Sequence, residues 1–199
     1  MAKKKRKRRN NKKIVRAVIA ALIILAVLCV SAYYLNRMAE KRSYRLLYPD
    51  IIKEMSAEYN VDPYLAAAVI HCESSYNKDA VSPVGATGLM QIMPDTGEWI
   101  AEKLEIDNFT QEQLFDPQTN IRLGCWYLNY LMDKFGGDKV AVLAAYNGGP
   151  GNVQKWLKDE RYSENGTLTD IPFPETDRYI EKVQRAYEKY LNLYEKELS

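Results

Sequence analysis

The longest uninterrupted apolar run in the chain covers residues 17–35, AVIAALIILAVLCVSAYYL, and none of its residues is charged. At about 1.5 Å per residue this run extends about 28 Å, close to the hydrocarbon thickness of a bilayer. Residues 36–47 are polar and helix-compatible and predict a short juxtamembrane stalk. From residue 48 onward apolar positions recur with the period of amphipathic helices, and strand-like alternation is scarce.

Helix punctuation divides the region 48–199. Pro49-Asp50 opens a helix through Tyr59 with Ile51, Ile52 and Met55 on one face, and Asn60-Val61-Asp62 breaks it. Asp62 then caps a second helix with Pro63 in its first turn, running through Leu65, Ala66, Val69 and Ile70 to about Ser74. Residues 75–93 read as a loop with Ser82-Pro83, Gly85 and Gly88. Helices follow from Pro94 to about Leu104 and from Asp116-Pro117 to Gly136-Gly137, the second carrying Ile121, Trp126, Leu128, Leu131 and Met132. Asp138 caps a helix over 139–145 that stops at Asn147-Gly148-Gly149-Pro150, and a short helix lies near 153–158. An irregular stretch, 159–175, leads to a last helix with Ile180, Val183, Tyr187, Leu191 and Tyr194 on a stripe. The expectation is an all-α domain with long loops.

Charge sharpens the division. The chain holds 28 Lys and Arg against 26 Asp and Glu, but residues 1–16 carry ten of the basic side chains and no acid. Residues 17–199 are therefore net acidic by about eight charges, which argues against a basic nucleic-acid-binding domain. A basic cluster before an apolar span is the arrangement the positive-inside rule describes. It predicts a cytoplasmic tail, 1–16, a transmembrane anchor, 17–35, and everything after Asn36 across the membrane. A cleaved signal peptide is the competing reading, with Val30-Ser31-Ala32 as a small-residue cleavage site, but the run exceeds most signal cores. Leu28 before Cys29 does not suit lipoprotein processing, and the span explains KKKRKRR more economically than nuclear targeting does.

Candidate chemistry concentrates in four places. Glu73 ends the most apolar helix, where partial desolvation would raise its pKa and let it act as an acid near neutral pH. Gly85-Ala86-Thr87-Gly88-Leu89-Met90-Gln91 combines two flexible glycines with thioether and amide groups. Ala145-Tyr146-Asn147-Gly148-Gly149-Pro150-Gly151 ends a helix with an aromatic ring and an amide. Ile171-Pro172-Phe173-Pro174-Glu175-Thr176 opens the last helix, which carries Tyr179 in its first turns. Singly these read as a solvated cap, a turn and an ordinary helix terminus. Neither glycine segment is a nucleotide loop, since no Gly-Lys-Ser/Thr or post-strand GxGxxG occurs.

Together, in this order and spacing, they resemble the catalytic domain of the soluble lytic transglycosylases, in the goose-type lysozyme-like group. The residues that carry the resemblance are Glu73-Ser74, Ser82-Pro83-Val84-Gly85-Ala86-Thr87-Gly88-Leu89-Met90-Gln91, Ala145-Tyr146-Asn147-Gly148-Gly149 and Glu175-Thr176-Asp177-Arg178-Tyr179. It covers roughly residues 48–195 and leaves out the tail and span. It implies an all-α lysozyme-like domain over 48–199, preceded by one transmembrane helix, that cleaves the β-1,4 bond between N-acetylmuramic acid and N-acetylglucosamine in peptidoglycan. Such an enzyme would sit in a bacterial cell membrane as a single-pass protein and would need no cofactor or metal.

By the same resemblance Glu73 is the single catalytic acid and base. It would first protonate the leaving glycosidic oxygen and then take the proton of the muramyl C6 hydroxyl, which attacks C1 and closes a 1,6-anhydro ring. The nearby acids after Glu73 in the sequence, Asp79, Asp95 and Glu98, lie in none of the motifs, whereas a two-carboxylate glycosidase would ordinarily require a partner. Ser82 and Gln91 would hold the N-acetyl group and sugar, and Tyr179 would bond near Glu73. Tyr146 and Asn147 would line the groove, Met90 and Met93 would give it an apolar floor, and Ser74 would orient the helix end. Two rival readings remain: a hydrolytic muramidase of the same fold, and a wall-binding protein without turnover. His71, the only histidine, lies on a different helix face from Glu73 and reads as structural. Cys72 and Cys125 could pair outside the cytoplasm but read better as buried thiols.

Overall fold

The computed structural model describes the backbone of residues 2–199 and the side chains of residues 16–199. All but the last residue of the basic tail, 1–16, therefore have side chains outside the described residues. The chain forms two compact units, Met1–Ser43 and Tyr44–Ser199.

The first unit is one helix, α1 (Ala2–Ser43). Over Arg16–Ser43 it is long and apolar enough to cross a membrane. Its apolar side chains have no protein cover: Leu22, Leu28 and Leu35 are 61%, 60% and 66% exposed. Residues 36–43, although polar, continue the helix without a break, because nothing in NRMAEKRS disfavours helical backbone.

The second unit is built from α2 (Pro49–Glu58), α3 (Pro63–Ser74), α4 (Pro94–Lys103), α5 (Pro117–Lys134), α6 (Lys139–Gly148), α7 (Pro150–Trp156), α8 (Pro174–Leu193) and α9 (Glu195–Leu198). A 3₁₀ turn at Gln111–Phe115 precedes α5. The acidic caps form as the sequence implies. Asp62 accepts from the Tyr64 N–H, Asp116 from that of Thr119, and Asp138 from those of Val140 and Ala141. Proline occupies the first turn of six of these helices, where its missing N–H costs nothing.

Helix α3 is the axis of the domain. Leu65, Ala66, Ala67, Ala68, Val69 and Ile70 are all buried, as expected of a helix apolar on every side. It packs chiefly on α8 and also on α2, while α6 joins α5, α7 and α8. The amphipathic α8 turns Ile180, Val183, Ala186 and Tyr190 inward.

Three departures from the sequence reading have local causes. Helix α6 runs to Gly148, past the expected end at 145, because its terminator is Gly149 at φ 86°, so Tyr146 and Asn147 ride on its last turn. Within the irregular stretch, Ser163–Glu164 (β1) pairs antiparallel with Thr167–Leu168 (β2) around Asn165-Gly166. Both turn residues have positive φ, the dipeptide signature of a tight hairpin. Residues 44–47, read as the end of a stalk, pack onto the core: Tyr44 stacks on His71, and the Arg45 carbonyl accepts from the Tyr190 hydroxyl at 2.8 Å.

Candidate active site

Glu73 lies in the last turn of α3, with Ser74 after it and then Ser75 and Tyr76, both in left-handed backbone at φ 50° and 63°. Two consecutive non-glycine residues in that region cost about 1–2 kcal/mol each, so they persist only where the surroundings hold them. Here the Tyr76 ring is buried at 3% exposure, and the Arg45 guanidinium donates twice to the Ser75 carbonyl, at 2.6 and 3.2 Å. Lys182 of α8 donates to the Cys72 carbonyl at 2.8 Å. Two cations thus meet the carbonyl end of α3, where the helix dipole is negative. The turn that carries Glu73 is fixed from both sides.

Burial lifts the Glu73 carboxyl from its ordinary 4.5 to about 7, against smaller opposing effects of the Tyr179 hydroxyl and the Lys182 charge. No carboxylate appears among the groups that perturb it. Tyr179 and Tyr146 stand over the same carboxyl, and burial pushes both phenols far above their usual range. The Tyr146 hydroxyl donates to the Met90 carbonyl at 2.8 Å. The buried Tyr179 hydroxyl has Glu73 as its nearest hydrogen-bonding partner and lowers the carboxyl's proton affinity, but the two do not meet in full hydrogen-bond geometry. A buried hydroxyl in this position is placed to donate to the carboxylate form of Glu73 or to a ligand beside it.

The loop 75–93 closes over this helix end. Ser74 donates to the Leu89 carbonyl at 2.8 Å and ties the loop to α3. The Ser82 hydroxyl accepts from the Ala86 N–H at 3.0 Å, which occupies its oxygen and leaves its proton to be donated elsewhere. Gln91, at φ 49°, uses its amide nitrogen on the Gly88 and Ala80 carbonyls, so its side-chain oxygen is the group left for a ligand. Gly88 sits at φ 80° against the Leu114 carbonyl and the Asn120 amide, and any Cβ there would collide with both.

A cleft of about 250 Å³ brings Gln91, Met93, Thr96, Tyr127, Tyr146 and Asn147 together. Met93, 40% exposed, presents apolar surface to this cleft. Asn147 accepts from the Thr176 hydroxyl at 2.8 Å, which joins the third motif to the fourth and leaves its amide protons free. A second cleft of about 440 Å³ begins at Asn147 and Gly148 and runs along Phe173, Pro174 and Glu175. Met90 requires a correction. Its side chain is fully buried, with its sulfur on Gly124, so it floors no groove. What the site uses of Met90 is its backbone, held by Tyr146 and by Asn120.

Asn120 is the main residue that sequence reasoning missed. Fully buried on α5, it accepts from the Met90 N–H at 2.7 Å and donates to the Thr87 and Leu114 carbonyls at 3.0 and 2.8 Å. It serves three backbone groups at once, two in the loop and one in the 3₁₀ turn before α5. The available signal was its helical stripe, Asn120, Gly124, Leu128 and Leu131, which places an amide and a glycine among core residues. Arg45, Tyr127 and Lys182 carried no comparable signal.

His71 stacks on Tyr44 at 4.8 Å, away from the cleft, and burial lowers its pKa. Cys72 and Cys125 are separate buried thiols, both pushed up to about 12 by burial. Among the described residues no group of three His, Cys, Asp or Glu side chains is placed to hold a metal ion.

A helical domain with a desolvated carboxyl beside two buried tyrosines, one of which lines a cleft of amides and aromatic rings, has the features of a lysozyme-like glycan-processing domain. The chain belongs to the transglycosylase SLT domain family, whose model matches residues 50–168. It is 38% identical over 152 residues to the soluble lytic murein transglycosylase of Escherichia coli K12, covering 75% of this chain and 23% of that protein. The membrane-bound lytic murein transglycosylase C of Edwardsiella ictaluri is 30% identical over 173 residues, covering 76% and 48% respectively. Among solved structures, the E. coli 70 kDa soluble lytic transglycosylase aligns with TM-score 0.70 at 34% identity, over 80% of this chain and 26% of that one. An inactive glutamate-to-glutamine variant of the Pseudomonas aeruginosa enzyme aligns with TM-score 0.67 at 35% identity, over 75% and 25%. This chain thus spans about a quarter of the length of the soluble relatives and about half that of the membrane-bound one.

Proposed function

We propose that this protein is a membrane-anchored lytic transglycosylase that cleaves the β-1,4 bond between N-acetylmuramic acid and N-acetylglucosamine in peptidoglycan. The observation that carries the reading is the desolvated Glu73 carboxyl, raised to about 7 beside Tyr146, which lines the cleft, with no carboxylate among the groups acting on it. A group with that proton affinity is present in both forms near neutral pH and can serve as acid and then as base. As acid, Glu73 gives its proton to the bridging oxygen as the C1–O4 bond breaks and N-acetylglucosamine leaves. As base, it takes the C6 hydroxyl proton while that oxygen bonds to C1, which closes the 1,6-anhydro ring and returns Glu73 to its acid form. No water is consumed, so a second carboxylate to activate one is unnecessary.

The buried Tyr179 hydroxyl would donate to the carboxylate form or to the acetamido group, and the Ser82 proton and the Gln91 oxygen would hold the sugar. Tyr146, Asn147 and Met93 would line its path. Ser74 acts at one remove, by fastening the loop. The names of the relatives support the substrate, and the inactive Glu-to-Gln variant of one of them supports a glutamate-dependent reaction. Residues 17–35 would anchor the chain, with the tail 1–16 in the cytoplasm and 48–199 facing the wall. The apolar α1 and the membrane-bound relative support this topology.

The test is mass spectrometry of peptidoglycan digested by the full chain in detergent, with Glu73→Gln as control. Muropeptides lighter by one water and resistant to borohydride establish the transglycosylase. Reducible, full-mass products that depend on Glu73 make it a muramidase, and no products at all leave a binding protein.

A further inference from the structure

We infer that Arg45 is a positioning residue for the reaction: fastened to the domain through its neighbours, its guanidinium holds the left-handed turn Ser75-Tyr76 and thereby sets the orientation and burial of the Glu73 carboxyl. The inference rests on the reading of Glu73 as the acid and base. The guanidinium reaches Ser75, two residues past Glu73, and Arg45 is not among the residues that line the cleft, so it acts at one remove. The segment 44–46 is fastened at three points. The Tyr44 ring lies 4.8 Å from that of His71 and 6.3 Å from that of the fully buried Tyr190. The Tyr190 hydroxyl donates to the Arg45 carbonyl at 2.8 Å, and the Leu46 N–H donates to the Tyr194 hydroxyl. From that footing the guanidinium gives two N–H groups to the Ser75 carbonyl, at 2.6 and 3.2 Å. Charged donors make the stronger hydrogen bonds of a protein, and the planar fork fixes direction as well as distance.

The turn that Arg45 holds is a strained one. Ser75 ends α3 and shares positive φ with Tyr76, a pairing that side chains disfavour. The Ser75 N–H closes the helix on the His71 carbonyl at 3.0 Å, and the Asn77 N–H returns to the Ser74 carbonyl at 3.0 Å. Those two bonds are local to the turn, whereas the Arg45 bonds span 30 residues of sequence and tie the turn to the domain. With the Ser75 carbonyl released, the strain relaxes by unwinding the last turn of α3, which brings Glu73 toward water. The groups that bear on the Glu73 charge are Tyr179 and Lys182 of α8, Tyr146 of α6 and Cys72 beside it on α3. Arg45 is not one of them, so its loss acts through position and hydration. The two effects have opposite signs: removing a nearby cation raises the proton affinity of a carboxyl, whereas hydrating a buried carboxyl lowers it. Arg45 follows the end of α1 by two residues in the chain, so the link between the apolar helix and the domain is itself part of the support of the active site.

The experiment compares Arg45→Met and Arg45→Lys with the native full chain in detergent, by initial rates on peptidoglycan across the pH range and below each variant's melting temperature. Methionine keeps an apolar stem and removes the donors, while lysine keeps the charge and can still donate to the carbonyl. Arg45 is exposed, so neither change disturbs the core. In Arg45→Met, kcat should fall about ten- to a hundredfold with KM within about twofold. The alkaline limb of its pH–rate profile should move down by about one pH unit, and Arg45→Lys should restore part of both. A second readout is independent of turnover. The stability that Glu73→Gln confers as pH rises should be smaller in the Arg45→Met background than in the native one, because a hydrated carboxyl gains less from losing its charge. An unchanged kcat and alkaline limb, with or without a lower Tm, overturns the positioning role. So does an upward move of the limb, which would make Arg45 an electrostatic effector of the kind Lys182 is. If the native chain gives no Glu73-dependent products, the reading of Glu73 as the acid and base falls, and the Glu73→Gln comparison in the two backgrounds still decides whether Arg45 sets the burial of that carboxyl.

Discussion

Replacing Glu73 by Gln should stabilise the protein, increasingly so as pH rises from about 4.5 to 7. The carboxyl is held at about 7 against an ordinary value of 4.5, so the folded state resists its ionisation. Below pH about 4.5 the group is neutral in both folded and unfolded chains and costs nothing. As pH rises from about 4.5 to 7 the unfolded chain ionises while the folded chain holds its proton, so stability falls, and the loss levels off above 7 where both are ionised. At about 1.4 kcal/mol for each tenfold change in proton affinity, the gap bounds the penalty at about 3 kcal/mol. Glu73 keeps some contact with solvent, which reduces this to about 2 kcal/mol. Glutamine keeps the shape and hydrogen-bonding capacity but cannot ionise. Thermal melts followed by circular dichroism should therefore show the Gln variant gaining on the native protein between pH 4 and pH 8, by about 4–8 °C for a domain of this size. The comparison cancels every other titrating group. A difference in Tm that is constant across that range, or that favours the native protein at pH 8, would refute the claim that burial raises this carboxyl. In the same variant turnover should fall by about 10²–10⁴-fold if Glu73 is the acid and base.

Three further outcomes follow from the same geometry. Tyr179→Phe and Lys182→Met each remove a group that lowers the Glu73 pKa, so each should move the alkaline limb of the pH–rate profile upward, and raised salt should mimic the Lys182 change in part. Asn120→Ala leaves the Met90 N–H and the Leu114 carbonyl unpaired, the Thr87 carbonyl keeping the Ile92 N–H, and should cost about 3 kcal/mol in denaturant unfolding. Gly124→Ala drives a methyl group into the Met90 sulfur and should cost about 1–3 kcal/mol by the same measurement.

Much of this molecule is written in local sequence. The apolar span 17–35, the acidic caps at Asp62, Asp116 and Asp138, and the prolines that open helices act within a turn or two of themselves. They determine that the chain is helical and roughly where each helix begins. The four motifs likewise marked Glu73, Gln91, Tyr146, Asn147 and Tyr179 as candidates, because their residue types and order survive without coordinates. Tertiary structure alone decided what each candidate can do. The proton affinity of Glu73 depends on burial contributed by elements far away in the chain, including Tyr146 and Tyr179. The exclusion of the Met90 side chain from the cleft depends on a glycine one helix away. Asn120, Arg45 and Lys182 act by reaching backbone atoms about 30 to 110 positions distant. Desolvation and backbone satisfaction are properties of the packed whole, whereas propensity and capping belong to the segment. For that reason the helices could be read from the sequence, and the environment that makes one carboxyl an acid could not.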